Sequence, residues 1–123
     1  MRPARLLPAA ALASLLALPA QAQDAAAGER VFKIQCSACH TVVPGKNLVG
    51  PSLHGVVGRT TGQVLGFRYT EANRNAKLTL DAETLDRYLT NPRETIPGTS
   101  MVYAGVKDAT QRKNLIAYLE TMK

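Results

Sequence analysis

The segment Cys36-Ser37-Ala38-Cys39-His40 constrains this chain more than any other feature, because it holds both cysteines of the 123-residue sequence. Two thiols three positions apart, followed at once by an imidazole, fit a redox dithiol, a structural disulfide or the attachment of a c-type haem. A redox dithiol usually lies in a βαβ context, and a disulfide does not need the histidine. A zinc site needs four ligands, and His54 does not complete a usual zinc-binding spacing. The pattern favours haem and leaves the dithiol and the disulfide as alternatives.

In the haem interpretation, the two thiols add to the two vinyl groups of the ring, and the next histidine binds the iron. We therefore predict one haem c, attached covalently through Cys36 and Cys39, with His40 as an iron ligand. The low aromatic content of 5%, with no tryptophan, agrees with an interior that is filled partly by a large planar group.

The amino terminus has the three parts of a secretory signal peptide. Arg2 and Arg5 precede an uncharged Leu/Ala-rich stretch over residues 6–19, and Ala20-Gln21-Ala22 forms a small-x-small cleavage site. We predict a cleavable signal peptide over residues 1–22, a mature domain over residues 23–123 and export to the bacterial periplasm. An uncleaved membrane anchor is the alternative. Cleavage lowers the formal charge of the polypeptide from +6 to +4 by removing Arg2 and Arg5.

Helix signals flank a long loop that is rich in glycine and proline, over residues 44–66. The capping and periodicity patterns predict a first helix over Ala25 to Gln35, a short turn over Glu71 to Asn75, a helix from Thr79 or Asp81 to Asn91-Pro92, and a final helix after Asp108. Ala27, Val31 and Ile34 recur on one face of the first helix. No period-two strand pattern is found. The length permits one ordinary domain, and the pattern predicts an all-α fold with helices and long loops around a buried haem.

Several further segments resemble the class I cytochromes c, a family that includes bacterial cytochrome c2 and mitochondrial cytochrome c. Besides CSACHTV, the chain contains GPSLHGVVGR, GFRYTEAN, YLTNP, IPGTSMVYAG and LIAYL, in the order and at the spacing of the family. The resemblance covers essentially all of residues 24–123. It implies the cytochrome c fold, with about four to five helices.

The resemblance also implies roles for individual residues. His40 would be the proximal iron ligand, and the carbonyl of Pro51 would accept a hydrogen bond from the other ring nitrogen. Met101 would be the sixth ligand, a soft thioether that favours reduced iron. The resemblance places five further residues around the haem, where they would lie near the methionine, in a polar network or near a propionate. These residues are Arg59, Tyr69, Asn73, Tyr88 and Thr99.

A residue set of this kind implies an electron carrier and not an enzyme. Both axial positions would be occupied, so the iron would exchange single electrons without binding a substrate. The resemblance implies a monomer that docks transiently to a quinol-oxidising cytochrome complex of the bc1 type as donor and to a terminal oxidase or photosynthetic reaction centre as acceptor. Dispersed basic residues and export argue against nucleic-acid binding. A c-type enzyme or gas sensor, a thiol–disulfide oxidoreductase and a fixed subunit of a membrane complex are the competing classes.

Two departures from the family pattern affect the surroundings of the haem. Leu80 stands where mitochondrial members have a tryptophan that donates a hydrogen bond to a propionate. The expected haem edge also has fewer lysines, since Gln35, Leu48, Ser100 and Asp108 are uncharged or acidic. Long-range attraction to acidic partners should therefore be weaker, with a weaker dependence on salt.

Overall fold

The computed structural model describes residues 3–5, 10, 11, 13, 14 and 23–123. Most of the predicted signal peptide, residues 1–22, therefore lies outside the described residues. The described part contains five α-helices and no strand, apart from one isolated antiparallel bridge between Thr60 and Thr79. The helices are α1 (Ala25–Gln35), α2 (Glu71–Ala76), α3 (Ala82–Thr90), α4 (Pro92–Thr95) and α5 (Ala109–Glu120). The predicted all-α class is confirmed, and none of these helices is long and apolar enough to cross a membrane.

Each helix begins at a residue whose side chain accepts a hydrogen bond from a backbone N–H in the first turn. Asp24, Asp81 and Asp108 cap α1, α3 and α5 in this way. The predicted starts of α1 and α5 are confirmed, and of the two starts considered for α3, Asp81 is the correct one. Asn91 then caps α4, with Pro92 at its first position, so the chain turns directly into a further short helix that the sequence pattern did not predict.

The first and last helices cross at a glycine. A Cβ on Gly28 would overlap the backbone carbonyl of Asn114 and lie 2.9 Å from the Cβ of Tyr118, so only glycine lets the helices approach this closely. The ring of Phe32 packs at 5.8 Å from that of Tyr118, and Leu115 is fully buried beside them. Ile34, which recurs with Ala27 and Val31 on one face of α1, has a side chain that is 83% exposed, because the buried face of α1 is centred on Gly28 and Phe32.

Helix α3 packs on α5 and presents Leu85 and Leu89 to the core. A half-buried ion pair joins the two helices, with Nε of Arg112 2.9 Å from Oδ1 of Asp86. Together with the loops, these helices enclose an apolar cavity, which residues of the Cys36–His40 turn and of the loop between α4 and α5 also line. The fold thus brings segments that are distant in the sequence to the wall of a single cavity.

Candidate haem site

A cavity of about 530 Å³ lies between the helices and the loops, within the size range of cofactor sites. All ten predicted site residues line it: Cys36, Cys39, His40, Pro51, Arg59, Tyr69, Asn73, Tyr88, Thr99 and Met101. The sequence places these residues in five separate segments. Their convergence on one cavity supports the site that the sequence pattern indicated.

The floor of the cavity is apolar and closed to water. The buried side chains that line it are Val56, Leu80, Leu85, Leu89, Ile96, Leu115 and Leu119. Leu80 is 8% exposed, and its backbone is fixed by a pair of hydrogen bonds, to the N–H of Gly58 and to the carbonyl of Arg59, each of 2.8 Å. The residue that departs from the mitochondrial pattern therefore forms part of an apolar wall, as predicted.

The two cysteines are presented by a tight turn at the end of α1. The N–H of Cys39 and that of His40 both donate to the carbonyl of Cys36, at 3.1 and 2.9 Å. The sulfurs of Cys36 and Cys39 are not joined in a disulfide, and both residues line the cavity. Burial raises the pKa of the Cys36 thiol to about 11, so this sulfur is a neutral group in an apolar wall at neutral pH. The geometry suits thioether attachment to a group inside the cavity.

The ring of His40 is held in one orientation. Its Nδ1 lies 2.7 Å from the carbonyl oxygen of Pro51, and because a carbonyl only accepts, Nδ1 carries the proton. The lone pair is therefore on Nε2, the nitrogen that is left to bind a metal. Burial lowers the pKa of His40, against the opposing effect of this hydrogen bond, which favours the neutral form that metal binding requires.

Gly50 completes the support of the imidazole, a role that was not predicted from the sequence. A Cβ at this position would overlap the His40 ring, at 2.6 Å from Nδ1 and 2.7 Å from Nε2. The N–H of Gly50 also donates to the carbonyl of Cys39 at 2.8 Å. One signal in the sequence was available for this role. The glycine directly precedes the proline whose carbonyl accepts a hydrogen bond from the histidine.

Met101 lies half-buried in the loop between α4 and α5, where its sulfur accepts a hydrogen bond from the hydroxyl of Tyr88 at 3.2 Å. Burial raises the pKa of Tyr88, so its hydroxyl keeps the proton that it donates. The hydroxyl of Thr99 accepts from the N–H of Met101 at 3.3 Å. Both neighbours predicted for Met101 therefore contact it.

The remaining predicted residues form a polar margin of the cavity. The Arg59 guanidinium donates from Nη2 to the carbonyls of Ser52 and His54, at 3.0 and 2.6 Å, and burial lowers its pKa. The hydroxyl of Tyr69 accepts from the N–H of Val64, and Oδ1 of Asn73 accepts from the hydroxyl of Thr70. Such a margin provides a cation and hydrogen-bonding groups for the acidic substituents of a haem.

The residues fit a haem on their chemistry: two free thiols, an imidazole with an available Nε2 and a thioether all line one mostly apolar cavity. A thiol–disulfide oxidoreductase would not need the methionine or a cavity of this size.

Comparisons with known proteins agree with this fit. The profile of the Cytochrome c family matches residues 25–123. Cytochrome c2 of Blastochloris viridis is 50% identical over 103 residues, which cover 83% of this chain and 80% of that protein. Cytochrome c2 of Rhodoblastus acidophilus is 47% identical over 103 residues, or 83% of this chain and 95% of that protein.

A solved structure gives the same result for the fold. Cytochrome cH from Methylobacterium extorquens superposes with a TM-score of 0.75 at 42% sequence identity, over 80% of this chain and 98% of that one. Members of the family carry electrons on one covalently bound haem c and are not enzymes. The chain therefore belongs to the cytochrome c family, in class I, and is a haem-bearing electron carrier.

Proposed function

We propose that this protein is an exported single-electron carrier of the bacterial periplasm, whose haem is attached through Cys36 and Cys39 and ligated by His40 and Met101. The observation that carries the proposal is the pair of prepared ligands on one cavity: an imidazole with its proton fixed on Nδ1, and a thioether that accepts a hydrogen bond from Tyr88.

When bound, the haem supplies the redox chemistry, in which its iron gains and loses one electron without forming or breaking a bond to a substrate. The protein fixes the environment of that exchange. His40 cannot rotate without losing the hydrogen bond to Pro51, and the apolar wall around Leu80 excludes water. A rigid, dry site changes little between the two oxidation states, which favours fast transfer.

The proposed docking face is the opening of the cavity, and we call its two exposed apolar side chains the rim: Val49 and Val102. They line the cavity and are 78% and 85% exposed. Exposed apolar residues that are scattered singly are ordinary, but two that line one opening support a contact surface there.

The redox partners follow from this face and from the family. The donor would be a quinol-oxidising cytochrome complex of the bc1 type, and the acceptor would be a terminal oxidase or a photosynthetic reaction centre. Both contacts would be small and transient, which suits a monomer that must exchange partners. The uncharged Gln35 and Ser100 at the opening favour docking through apolar contacts over long-range electrostatic attraction.

Export depends on residues 1–22, which we propose are removed to leave a domain over residues 23–123. The sequence supports this through its basic start, its apolar stretch and its Ala20-Gln21-Ala22 site. The alternative, an uncleaved anchor, would leave the protein in the membrane fraction.

The test is expression of the full chain in a bacterium that can mature c-type cytochromes. We expect a red periplasmic protein that begins at Gln23 and runs as a monomer. Added to membranes containing a bc1-type complex, it should be reduced by quinol and reoxidised when an oxidase is present. A membrane-bound red protein would contradict cleavage, and a protein that no such membrane reduces would contradict the proposed donor.

A further inference from the structure

The loop that bears Met101, residues 96–108, is anchored at both ends, and we call it the methionine loop. At its start, the N–H of Ile96 donates a hydrogen bond to the carbonyl of Pro92. The N–H of Thr99 donates to the carbonyl of Ile96. At its end, the N–H of Val106 donates to the carbonyl of Leu89 at 2.7 Å. Nη1 of Arg112 donates to the carbonyls of Val106 and Lys107, at 3.0 and 3.1 Å.

The middle of the methionine loop is held differently, by side chains. The bond from Tyr88 reaches the sulfur of Met101 itself. Two residues later, the hydroxyl of Tyr103 donates a hydrogen bond to Oε1 of Gln35, the last residue of α1. Within the part of the chain that the structure describes, this is the hydrogen bond that connects the methionine loop to α1.

Both partners of this bond line the cavity. Gln35 directly precedes the attachment residue Cys36, so the bond ties the methionine loop to the helix that presents the first thiol. Tyr103 is half-buried, and its hydroxyl is the donor of this bond.

We propose that Tyr103 and Gln35 form a latch that holds the methionine loop closed, and that both are positioning residues for Met101 as an iron ligand. The inference rests on the proposed function, since it concerns the His40 and Met101 ligation assigned there. A ligand on a loop leaves the iron when the loop opens, and a hydrogen bond present only in the closed form lowers the open fraction.

The size of the effect follows from the environment of the bond. A single hydrogen bond changes an equilibrium by about two- to tenfold, and exposure to water places this one in the lower half of that range. Removal of either partner should therefore raise the open fraction about two- to fivefold.

The test measures the apparent affinity of the ferric holoprotein for imidazole, which binds the iron only where Met101 has left it. The variants are Tyr103→Phe, Gln35→Leu and their combination. Tyr103→Phe keeps the aromatic ring and removes only the hydroxyl. Gln35→Glu keeps an acceptor oxygen, and Tyr118→Phe is the matched control, because it removes a tyrosine hydroxyl at the crossing of α1 and α5.

We expect each single variant to bind imidazole about two- to fivefold more tightly than wild type, and the double variant to match the single ones, because both remove one bond. Gln35→Glu and Tyr118→Phe should match wild type. The proposal is overturned if the single variants match Tyr118→Phe, if the two effects multiply in the double variant, or if Gln35→Glu binds as tightly as Gln35→Leu.

The ferric spectrum of the wild type separates this proposal from the function on which it rests. If the absorption band of iron bound to methionine sulfur is absent from the wild type, the proposed ligation fails. If the band is present and the variants do not differ, the latch alone fails. Amide hydrogen exchange of residues 100–104, which should be faster in Tyr103→Phe than in Tyr118→Phe, gives a second measure of opening.

Discussion

The two ligand-bearing segments of the cavity are built in different ways. On the histidine side, His40 directly follows the attachment turn, and its ring is fixed by the carbonyl of Pro51 and by the close approach of Gly50. On the methionine side, Met101 lies in the long loop between α4 and α5. This loop is held at its start by α4, at its end by α3 and α5, and in the middle by side-chain hydrogen bonds. One ligand is built into a tight turn and the other is brought in by loop closure.

This difference indicates that the two sides form at different stages. The histidine side must be formed when the haem is attached, because the two thiols and the imidazole share one five-residue segment. The methionine side can close afterwards, and the stability of closure then decides how well the iron is shielded from other ligands. The exposed Val102 of the rim lies in the same loop, and Val49 directly precedes Gly50 on the histidine side, so both sides would meet a redox partner.

The largest effect is expected from a substitution on the histidine side. Gly50→Val should abolish covalent haem attachment or reduce it to a trace, because the new side chain would occupy the space of the imidazole. The measurement is the yield of red protein per cell. Gly45→Ala is the control, since its Cβ meets nothing within 4 Å and its positive φ of 72° costs only about 1 kcal/mol. Equal yields from both variants would contradict the tight support of His40.

On the methionine side, Met101→Ala should leave haem attachment intact and open the iron. We expect the apparent affinity for imidazole to rise about a hundredfold, because the side chain of Met101 no longer competes with imidazole for the iron. The control is Met122→Ala, which removes a methionine that packs on the core and should change stability alone. Loss of the covalent haem in Met101→Ala would contradict the view that the methionine side forms later.

A smaller effect is expected where the methionine loop is anchored to the helices. Arg112→Met removes the ion pair to Asp86 and two hydrogen bonds to loop carbonyls, and should lower the free energy of unfolding by about 1–3 kcal/mol. Denaturant unfolding of the holoprotein measures the loss. The control is Lys113→Met, at an exposed residue next to Arg112 on α5. It should change the free energy of unfolding by less than about 0.5 kcal/mol. A loss in the Arg112 variant no greater than this would remove Arg112 as an anchor.

The smallest effect concerns docking. Electron transfer between the wild type and a bc1-type complex should fall by less than about tenfold between low and high salt, since the rim is apolar. Val102→Lys should steepen this dependence. Leu65→Lys adds the same charge at a residue that is 92% exposed and does not line the cavity, and should leave it unchanged. Equal slopes for the two variants would place the docking face elsewhere.

Local signals in the sequence predicted much of this architecture. Capping aspartates marked the starts of α1 and α5, and the segment from Cys36 to His40 indicated the cofactor and one of its ligands, because spacing within a helix or a turn is a property of the chain itself. The resemblance to class I cytochromes c was then confirmed, and it supplied the more distant residues such as Met101, Asn73 and Tyr88.

The features that the sequence did not predict depend on packing. Ile34 fits the helical period, yet it lies outside because the crossing at Gly28 determines which face of α1 is buried. Helix α4 was missed because the proline that ends α3 also begins the next helix. The contact between Gln35 and Tyr103 spans 68 positions of the chain, so no local pattern could indicate it.

The central claim is that His40 and Met101 together hold the iron of one covalent haem. The most direct test is the visible absorption of the purified ferric protein at neutral pH, compared with that of Met101→Ala. We expect the band of iron bound to methionine sulfur in the wild type and its loss in the variant, with the haem still covalently attached in both. A wild-type ferric spectrum without that band, or a band that persists in Met101→Ala, would contradict it.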